Sequence, residues 1–180
     1  MSDEMPKGPS LEDYTAHINE LRNEWCASKR NELVEFAKGE IGDHKGGHPR
    51  VTSYWRDVLP PNTPEASLID CSKRLSWCQV FCLFCLRHVG LTDAHWVFGR
   101  GFVYPLGLKP TDDPQPGDLG YFHNPYQHMD IVVELNKESG MLTTVDGNQP
   151  DCRLKTRKLP KGAQFFSIDK LLLEALDDIP

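Results

Sequence analysis

The sequence predicts a single α+β domain in which N-terminal helices pack on a mainly antiparallel sheet. Apolar residues recur at helical spacing through the first half of the chain, whereas the second half has short strand-like segments separated by turn residues. Helices followed by strands are typical of the α+β class. With 180 residues, 39% of them hydrophobic, the chain is large enough to bury one core. We expect a flexible tail at 1–10 and one domain at 11–180, with a helical part at 11–90 and a sheet part at 115–168.

Three helices are predicted in the first half of the chain. The first, at about 11–41, is either one long helix or two shorter ones, and Ser10 with Asp13 is typical of a helix start. A short helix is expected at 51–59. The apolar run 76–90 ends in glycine and predicts a buried helix with Ser76 as its N-cap. Segment 60–75 contains three prolines and is expected to be a surface loop.

The second half of the chain predicts five strands and a closing helix. Turns at 116–117 and 137–140 separate the first of them, and the strands are expected at 118–122, 129–135, 141–145, 152–159 and 164–168. A short helix at 169–177 is expected to close the domain.

Charge and composition exclude several classes of function. The net charge is −6, and the one short basic segment, 153–158, alternates as a solvated strand face does, so we expect neither nucleic acid nor an anionic membrane as a partner. No apolar run approaches the roughly 20 residues of a membrane span. The N-terminus is acidic and has no apolar signal segment, so we expect synthesis in the cytoplasm and reduced cysteines.

A cysteine, a histidine and two polar residues are the candidates for catalysis. Cys78 falls in the first turn of the predicted buried helix, where the helix dipole and free backbone N–H groups stabilise a thiolate. His128 opens an apolar strand, and Asp146 and Asn148 end the next strand. If these strands pair as a hairpin, His128 lies beside the end that carries Asp146 and Asn148, and these are the base and the orienting group that a cysteine nucleophile needs. Either Asp146 or Asn148 fits the orienting role.

A zinc site is the alternative interpretation of the cysteines. Cys78, Cys82 and Cys85 share one helical face with His88, but structural zinc sites draw their ligands from loops or from two elements, and here a second pair is missing. We therefore expect no metal and no other cofactor.

Several segments resemble motifs of the CHAP amidase/peptidase domains, which belong to the NlpC/P60-like group of papain-fold hydrolases. Residues 76–81 (SWCQVF) and 85–90 (CLRHVG) are similar to that family's WCAAF…CLRQAG segment. Further matches follow the family order between about 38 and 158, and they are EIG at 40–42 with HPRV at 48–51 and Tyr54, PGDLGYF at 116–122, HMDIVV at 128–133 and DGNQ at 146–149. Each motif is weak alone, but their order and spacing together indicate the family.

The resemblance implies a papain-like fold and hydrolysis of amide bonds in peptidoglycan. Matched by position, Cys78 is the nucleophile, His128 is the general base and Asn148 is the polar residue that orients the imidazole. Asp146 stands where many members have glutamate, and it could share or take that role.

Substrate contacts are expected from Trp77, Tyr121 and Asp130. Asp130 departs from the family, because glycine is common at its position. It lies two residues from His128 and would share its strand face, where it could raise the pKa of the histidine or bind an amine of the substrate.

The biological setting implied by the resemblance is a phage lysin or a secreted antibacterial effector. Either would act in the periplasm or cell wall, after release through a holin or delivery by a secretion system. Peptidoglycan is then the partner, with an immunity protein or a secretion-system component as further partners. The alternatives are a cytosolic papain-fold amidase acting on a protein or small peptide, and a non-catalytic binding module that keeps the fold.

Overall fold

The computed structural model describes residues 10–123, 127–148 and 151–179, and these form an α+β fold. Within these ranges there are five helices, α1 (Leu11–Gly39), α2 (Pro49–Val58), α3 (Glu65–Arg74), α4 (Cys78–His88) and α5 (Asp169–Asp177). The same ranges contain six strands, β1 (Lys109–Thr111), β2 (Leu119–Phe122), β3 (His128–Asn136), β4 (Met141–Asp146), β5 (Arg153–Lys158) and β6 (Gln164–Ser167). None of the described helices combines the length and apolar character needed to cross a membrane.

The strands make one antiparallel sheet in the order β1-β6-β2-β3-β4-β5. The predicted hairpin is confirmed, because β3 and β4 pair with Asp130 opposite Asp146. The edge strand β1 was not predicted. It has only three residues, and its pairing with β6 defines it, which a pattern in the local sequence does not reveal.

The first helix is a single long helix of 29 residues. Its predicted start is confirmed, because Ser10 Oγ accepts a hydrogen bond from the Asp13 backbone N–H while the Asp13 carboxylate accepts one from the Ser10 N–H. This reciprocal capping satisfies N–H groups that the first helical turn leaves without partners.

The segment between α1 and α2 is tied down by a polar cluster. Glu40, just after α1, is paired with the Arg50 guanidinium and accepts a hydrogen bond of 2.7 Å from the Tyr54 hydroxyl. Glu40 and Tyr54 are buried, so the carboxylate needs these donors. The motif at 40–54 therefore has a structural role, which is to fix the entry of α2 into the core.

The prediction of a surface loop at 60–75 is wrong for the second part of this segment, which forms α3. All three prolines of this segment lie at 60–64, and Pro64 is the N-cap of α3. Proline is tolerated at a helix start, where its missing N–H costs no hydrogen bond. The buried side chain of Leu68 then attaches α3 to the core.

The buried helix predicted at 76–90 is confirmed as α4, which lies against the sheet. Its residues from Val80 to Leu86 are buried, and they pack with buried residues of β2, β3 and β4. The predicted N-cap Ser76 is wrong, because α4 is preceded by Trp77 and has no side-chain cap. A second, smaller apolar cluster, made of Phe122, Val132, Leu142 and Phe165, is separate from this core.

Candidate active site

Cys78 is the first residue of α4 and opens into a cleft. Its side chain is largely buried, with 5% of the residue exposed, and the Ser76 Oγ atom lies 3.6 Å from its Sγ atom. No side chain caps the first turn of α4, so the backbone N–H groups there have no side-chain acceptor. The thiol therefore stands where the helix dipole favours negative charge.

His128, the first residue of β3, lies between Cys78 and Asp146. Its Nε2 atom is 3.2 Å from Asp146 Oδ2, at the end of β4. The carboxylate lies away from the axis of the ring N–H, so the contact has the distance of a hydrogen bond without good alignment, and Nε2 has no other partner among the described residues. Free enzymes often hold catalytic hydrogen bonds in loose geometry that tightens with substrate.

Asp146 is fixed from two further directions. Its carboxylate accepts a hydrogen bond from the Thr144 hydroxyl and one of 2.9 Å from Arg157 Nη1. Arg157 also pairs through Nη2 with Asp130, so one guanidinium bridges the two carboxylates. Both aspartates are fully buried, so Arg157 compensates charge that burial would otherwise penalise.

The pKa values of the three central residues shift in the directions that a thiolate–imidazolium pair requires. Burial lowers the pKa of His128, but its contacts with Asp146 and Cys78 outweigh burial and raise it to about 9. Burial raises the pKa of Cys78, yet hydrogen bonds with His128 and Ser76 bring it below its ordinary value. For Asp146, burial is likewise outweighed by His128 and Arg157, and its pKa is lowered. The site therefore favours a proton on His128 and negative charge on Cys78 and Asp146.

Asn148 lies near the site, but its side chain is hydrogen-bonded to Ser76. Its Nδ2 atom donates a 2.8 Å hydrogen bond to Ser76 Oγ, which in turn contacts Cys78. Its backbone is in the left-handed region, with φ of 65°, and this sharp turn follows the end of β4. Asp146, the other residue that the sequence offered for the orienting role, is thus the one beside His128, whereas Asn148 contacts Ser76.

Two of the three predicted substrate contacts are corrected by their burial. Trp77 is 1% exposed and packs between Tyr54 and Phe81 in the core, so it lines no surface that a substrate can reach. Asp130 does share the face of His128, but it is fully buried and its carboxylate is paired with Arg157, so it cannot bind an amine of a substrate. Burial and the neighbouring Asp146 raise the pKa of Asp130 well above its ordinary value.

The third predicted contact, Tyr121, does line the cleft. The cleft has a volume of about 680 Å³ and contains Cys78. Its walls carry the aromatic residues Trp96, Phe102, Tyr104, Tyr121 and Phe166. A cleft lined by aromatic side chains and a few polar groups, here with the candidate nucleophile among them, is the usual form of a small-ligand site.

His128, Asp130 and Asp146 could also be read as a metal site. One ligand atom from each lies within 4.8 Å of the others. However, the Arg157 guanidinium contacts both carboxylates, so a divalent cation would meet a fixed positive charge next to its ligands. The cluster therefore fits a set of ion pairs around Arg157 better than a cation site.

Sequence reasoning missed Arg157 and the role of Ser76. Segment 153–158 was predicted to be a solvated strand face, but the Arg157 side chain is only 17% exposed. Its guanidinium stacks on the Phe122 ring at 4.8 Å. The alternation of β5 indicated that every second residue shares a face, and this was the one available signal for an inward arginine.

Compared with known proteins, the chain matches no protein-family model, no curated protein and no solved structure.

Proposed function

We propose that this protein is a cysteine hydrolase that cleaves amide bonds with Cys78, His128 and Asp146 as its catalytic triad. The observation that carries the proposal is the helix-start thiol beside a histidine whose Nε2 lies 3.2 Å from a buried carboxylate. This arrangement supplies an activated nucleophile, a base and an orienting group.

The acylation step begins with the thiolate of Cys78. Its Sγ attacks the carbonyl carbon of the scissile amide, and the carbonyl electron pair moves to oxygen. The backbone N–H of Cys78, at the uncapped start of α4, donates to this oxyanion. When the tetrahedral intermediate collapses, the C–N bond breaks and His128 gives its proton to the leaving amine. An acyl-thioester remains on Cys78.

Deacylation reverses the role of the histidine. Neutral His128 removes a proton from a water molecule as the water oxygen attacks the thioester carbonyl. The C–S bond then breaks, the product carboxylic acid leaves, and the thiolate–imidazolium pair is restored. Asp146 keeps one tautomer and one orientation of the imidazole throughout, while Thr144 and Arg157 hold Asp146 in place.

Peptidoglycan is the substrate we propose, and a papain-like fold of the CHAP type is the proposed fold family. The support is the order of the motifs along the chain, together with a cysteine-bearing buried helix packed on an antiparallel sheet. The site of action is then the periplasm or cell wall, for a phage lysin or a secreted effector. An effector additionally requires an immunity protein in the producing cell.

Digestion of purified Gram-negative peptidoglycan tests this proposal, with released fragments read by mass spectrometry. The wild type is compared with Cys78→Ala, and Cys82→Ala is the matched control in the same helix. We expect new fragments from the wild type and from Cys82→Ala, and none from Cys78→Ala. If the folded wild type releases nothing while its Cys78 thiol is reactive, peptidoglycan is the wrong substrate, and protein or small-peptide amides are tested next.

A further inference from the structure

The cleft that contains Cys78 has no aspartate or glutamate among the described residues that line it, although the chain carries a net charge of −6. Within the same lining, Arg100 is the one arginine or lysine. Three glutamines, Gln79, Gln127 and Gln164, also line the cleft and can donate or accept hydrogen bonds. The chemistry of these walls therefore favours an anionic ligand over a cationic one.

The guanidinium of Arg100 is not used for an ion pair within the fold. The chain has nine arginines, and seven of them are paired with aspartate or glutamate. In the described ranges, Arg22 and Arg100 are the two without such a pair, and of these only Arg100 lines the cleft. A guanidinium presents five N–H donors in a fixed plane, and the exposed side chain of Arg100 can offer them to a ligand.

A tight turn holds Arg100 in the wall of the cleft. The Arg100 backbone N–H donates a 3.1 Å hydrogen bond to the Val97 carbonyl, and Val97 pairs with Gly101 as an isolated β-bridge. Gly99 and Gly101 have φ of 77° and 60°, a region that glycine enters without strain. A Cβ atom on Gly101 would lie 2.9 Å from Gln79 Oε1, so the turn packs directly against the start of α4.

Aromatic contacts attach this turn to the core. The Trp96 backbone N–H donates a 2.7 Å hydrogen bond to the carbonyl of Val58, at the end of α2. Phe98 stacks on the buried Trp55 ring with the two centroids 6.0 Å apart, and Trp96 meets the same ring edge-on at 6.1 Å. Because these contacts order the backbone on the N-terminal side of Arg100, ligand binding there needs little further ordering of the main chain.

We propose that Arg100 binds a carboxylate of the substrate, so that the cleft selects amides that carry a free carboxylate close to the scissile bond. The inference rests on the proposed function, because it takes Cys78 as the reacting group of this cleft. A guanidinium can bind a carboxylate with two parallel N–H···O hydrogen bonds, which are stronger than those between neutral groups. The peptides of peptidoglycan carry free carboxylates, so they belong to this class of substrate.

Alkylation of Cys78 by maleimides that end in a carboxylate, on spacers of one to five carbons, tests the inference without any hydrolysis. Each reagent is compared with its methyl ester, and rates at neutral pH are measured by peptide mass spectrometry. At the spacer length that reaches Arg100, we expect the carboxylate to react on the order of tenfold faster than the ester. Arg100→Gln should abolish this preference, and Arg100→Lys should keep part of it.

Arg22→Gln is the matched control. It removes the other arginine without a described ion pair, which lies on α1 and outside the cleft lining, and it should keep the full preference. His128 is present in all these proteins, so its attraction for an anionic reagent cancels in the comparison. Circular dichroism verifies that each variant is folded.

Three results would overturn a part of this account, and they can be told apart. A carboxylate preference that is absent at every spacer length, or that survives Arg100→Gln, overturns the inference alone. If no reagent labels Cys78 in the folded wild type, the cleft is closed to such ligands, and both the inference and the proposed hydrolase are overturned. If the preference depends on Arg100 while peptidoglycan yields no fragments, the inference holds and only the proposed substrate is wrong.

Discussion

The thiol in the first turn of α4 and the two thiols in its later turns are chemically identical, but their pKa values are shifted in opposite directions. Cys78 is nearly buried, and Cys82 and Cys85 are fully buried. Burial raises the pKa of Cys82 and Cys85 well above the ordinary thiol value, whereas that of Cys78 is lowered. The difference is that Cys78 has His128 and Ser76 as hydrogen-bonding partners, so it is the polar contacts, more than the degree of burial, that determine the charge state of the thiol.

The two aspartates that face each other in the β3/β4 hairpin show the same effect of polar contacts on pKa. Both are fully buried and both contact Arg157, but the pKa of Asp146 is lowered while that of Asp130 is raised. His128 and Thr144 contact Asp146, and Asp130 Oδ1 has no partner among the described residues. A triad with Asp146 as the ionised member follows from this asymmetry.

The largest effect is expected from removing the nucleophile. Cys78→Ala should reduce amide hydrolysis by a factor on the order of 10⁴ or more, because no other group in the site can form the acyl-thioester. Cys82→Ala should keep its activity and lose about 1–2 kcal/mol of unfolding free energy, since it only leaves a small cavity. Steady-state hydrolysis and urea unfolding of both variants measure the contrast. Equal activities for the two variants would remove Cys78 from the mechanism.

Asp146→Asn should have the next largest effect. The amide cannot stabilise the imidazolium as the carboxylate does, so kcat should fall by about 10²–10⁴. The pKa of His128 should fall as well, because its largest favourable contact is lost. Kinetics combined with NMR titration of His128 distinguish this from simple unfolding. Unchanged values of both kcat and the His128 pKa would contradict the orienting role.

Stability should depend on pH through His128. Its pKa is raised from 6.5 to about 9, so the folded chain holds this proton more tightly than the unfolded chain does. The resulting stability is fully present below about pH 6.5 and is lost as pH rises through about 9. Because the lowered pKa of Cys78 opposes this loss in the same pH range, the comparison is made without the thiol: relative to Cys78→Ala/His128→Gln, Cys78→Ala should lose on the order of 1–2 kcal/mol of unfolding free energy as pH rises above 6.5, measured by urea titration. A constant difference between the two proteins would be inconsistent with the raised pKa.

The smallest effect is expected at Asn148. Asn148→Gly removes the hydrogen bond to Ser76 without straining the backbone, because glycine readily adopts the left-handed conformation found there. Activity should fall by less than about tenfold, as for the loss of one neutral hydrogen bond, and Ser76→Ala should behave similarly. A loss as large as that of Asp146→Asn would instead give Asn148 the orienting role.

Much of the fold was predictable because its strongest patterns are local. The apolar runs of α4 and β3 come from side chains that each element buries along its own length, and the helical spacing of apolar residues in α1 predicted that helix although its first half is exposed. Cys78 and His128 could be placed because each begins a strongly patterned element.

The remaining features depend on contacts that are distant along the chain. Asp146 and Asn148 are two residues apart, and only the turn after β4 directs Asn148 towards Ser76. Arg157 lies in a segment whose sequence is typical of polar surface, but its side chain points inward and pairs with two buried carboxylates. Trp77 was expected to contact the substrate, but its neighbours in the core cover it.

The activation of Cys78 is tested most directly by measuring the alkylation rate of each cysteine as a function of pH. Peptide mass spectrometry after iodoacetamide treatment should show Cys78 reacting in the folded protein with an apparent pKa below the ordinary thiol value of 9.0. Cys82 and Cys85 should react only after denaturation, and His128→Ala should move the Cys78 profile to higher pH. Two results would contradict this account. Either Cys78 reacts no faster than Cys82 and Cys85 in the folded chain, or the pH profile of its alkylation is unchanged by His128→Ala. In both cases Cys78 and His128 form no thiolate–imidazolium pair, and the proposed hydrolase mechanism is wrong.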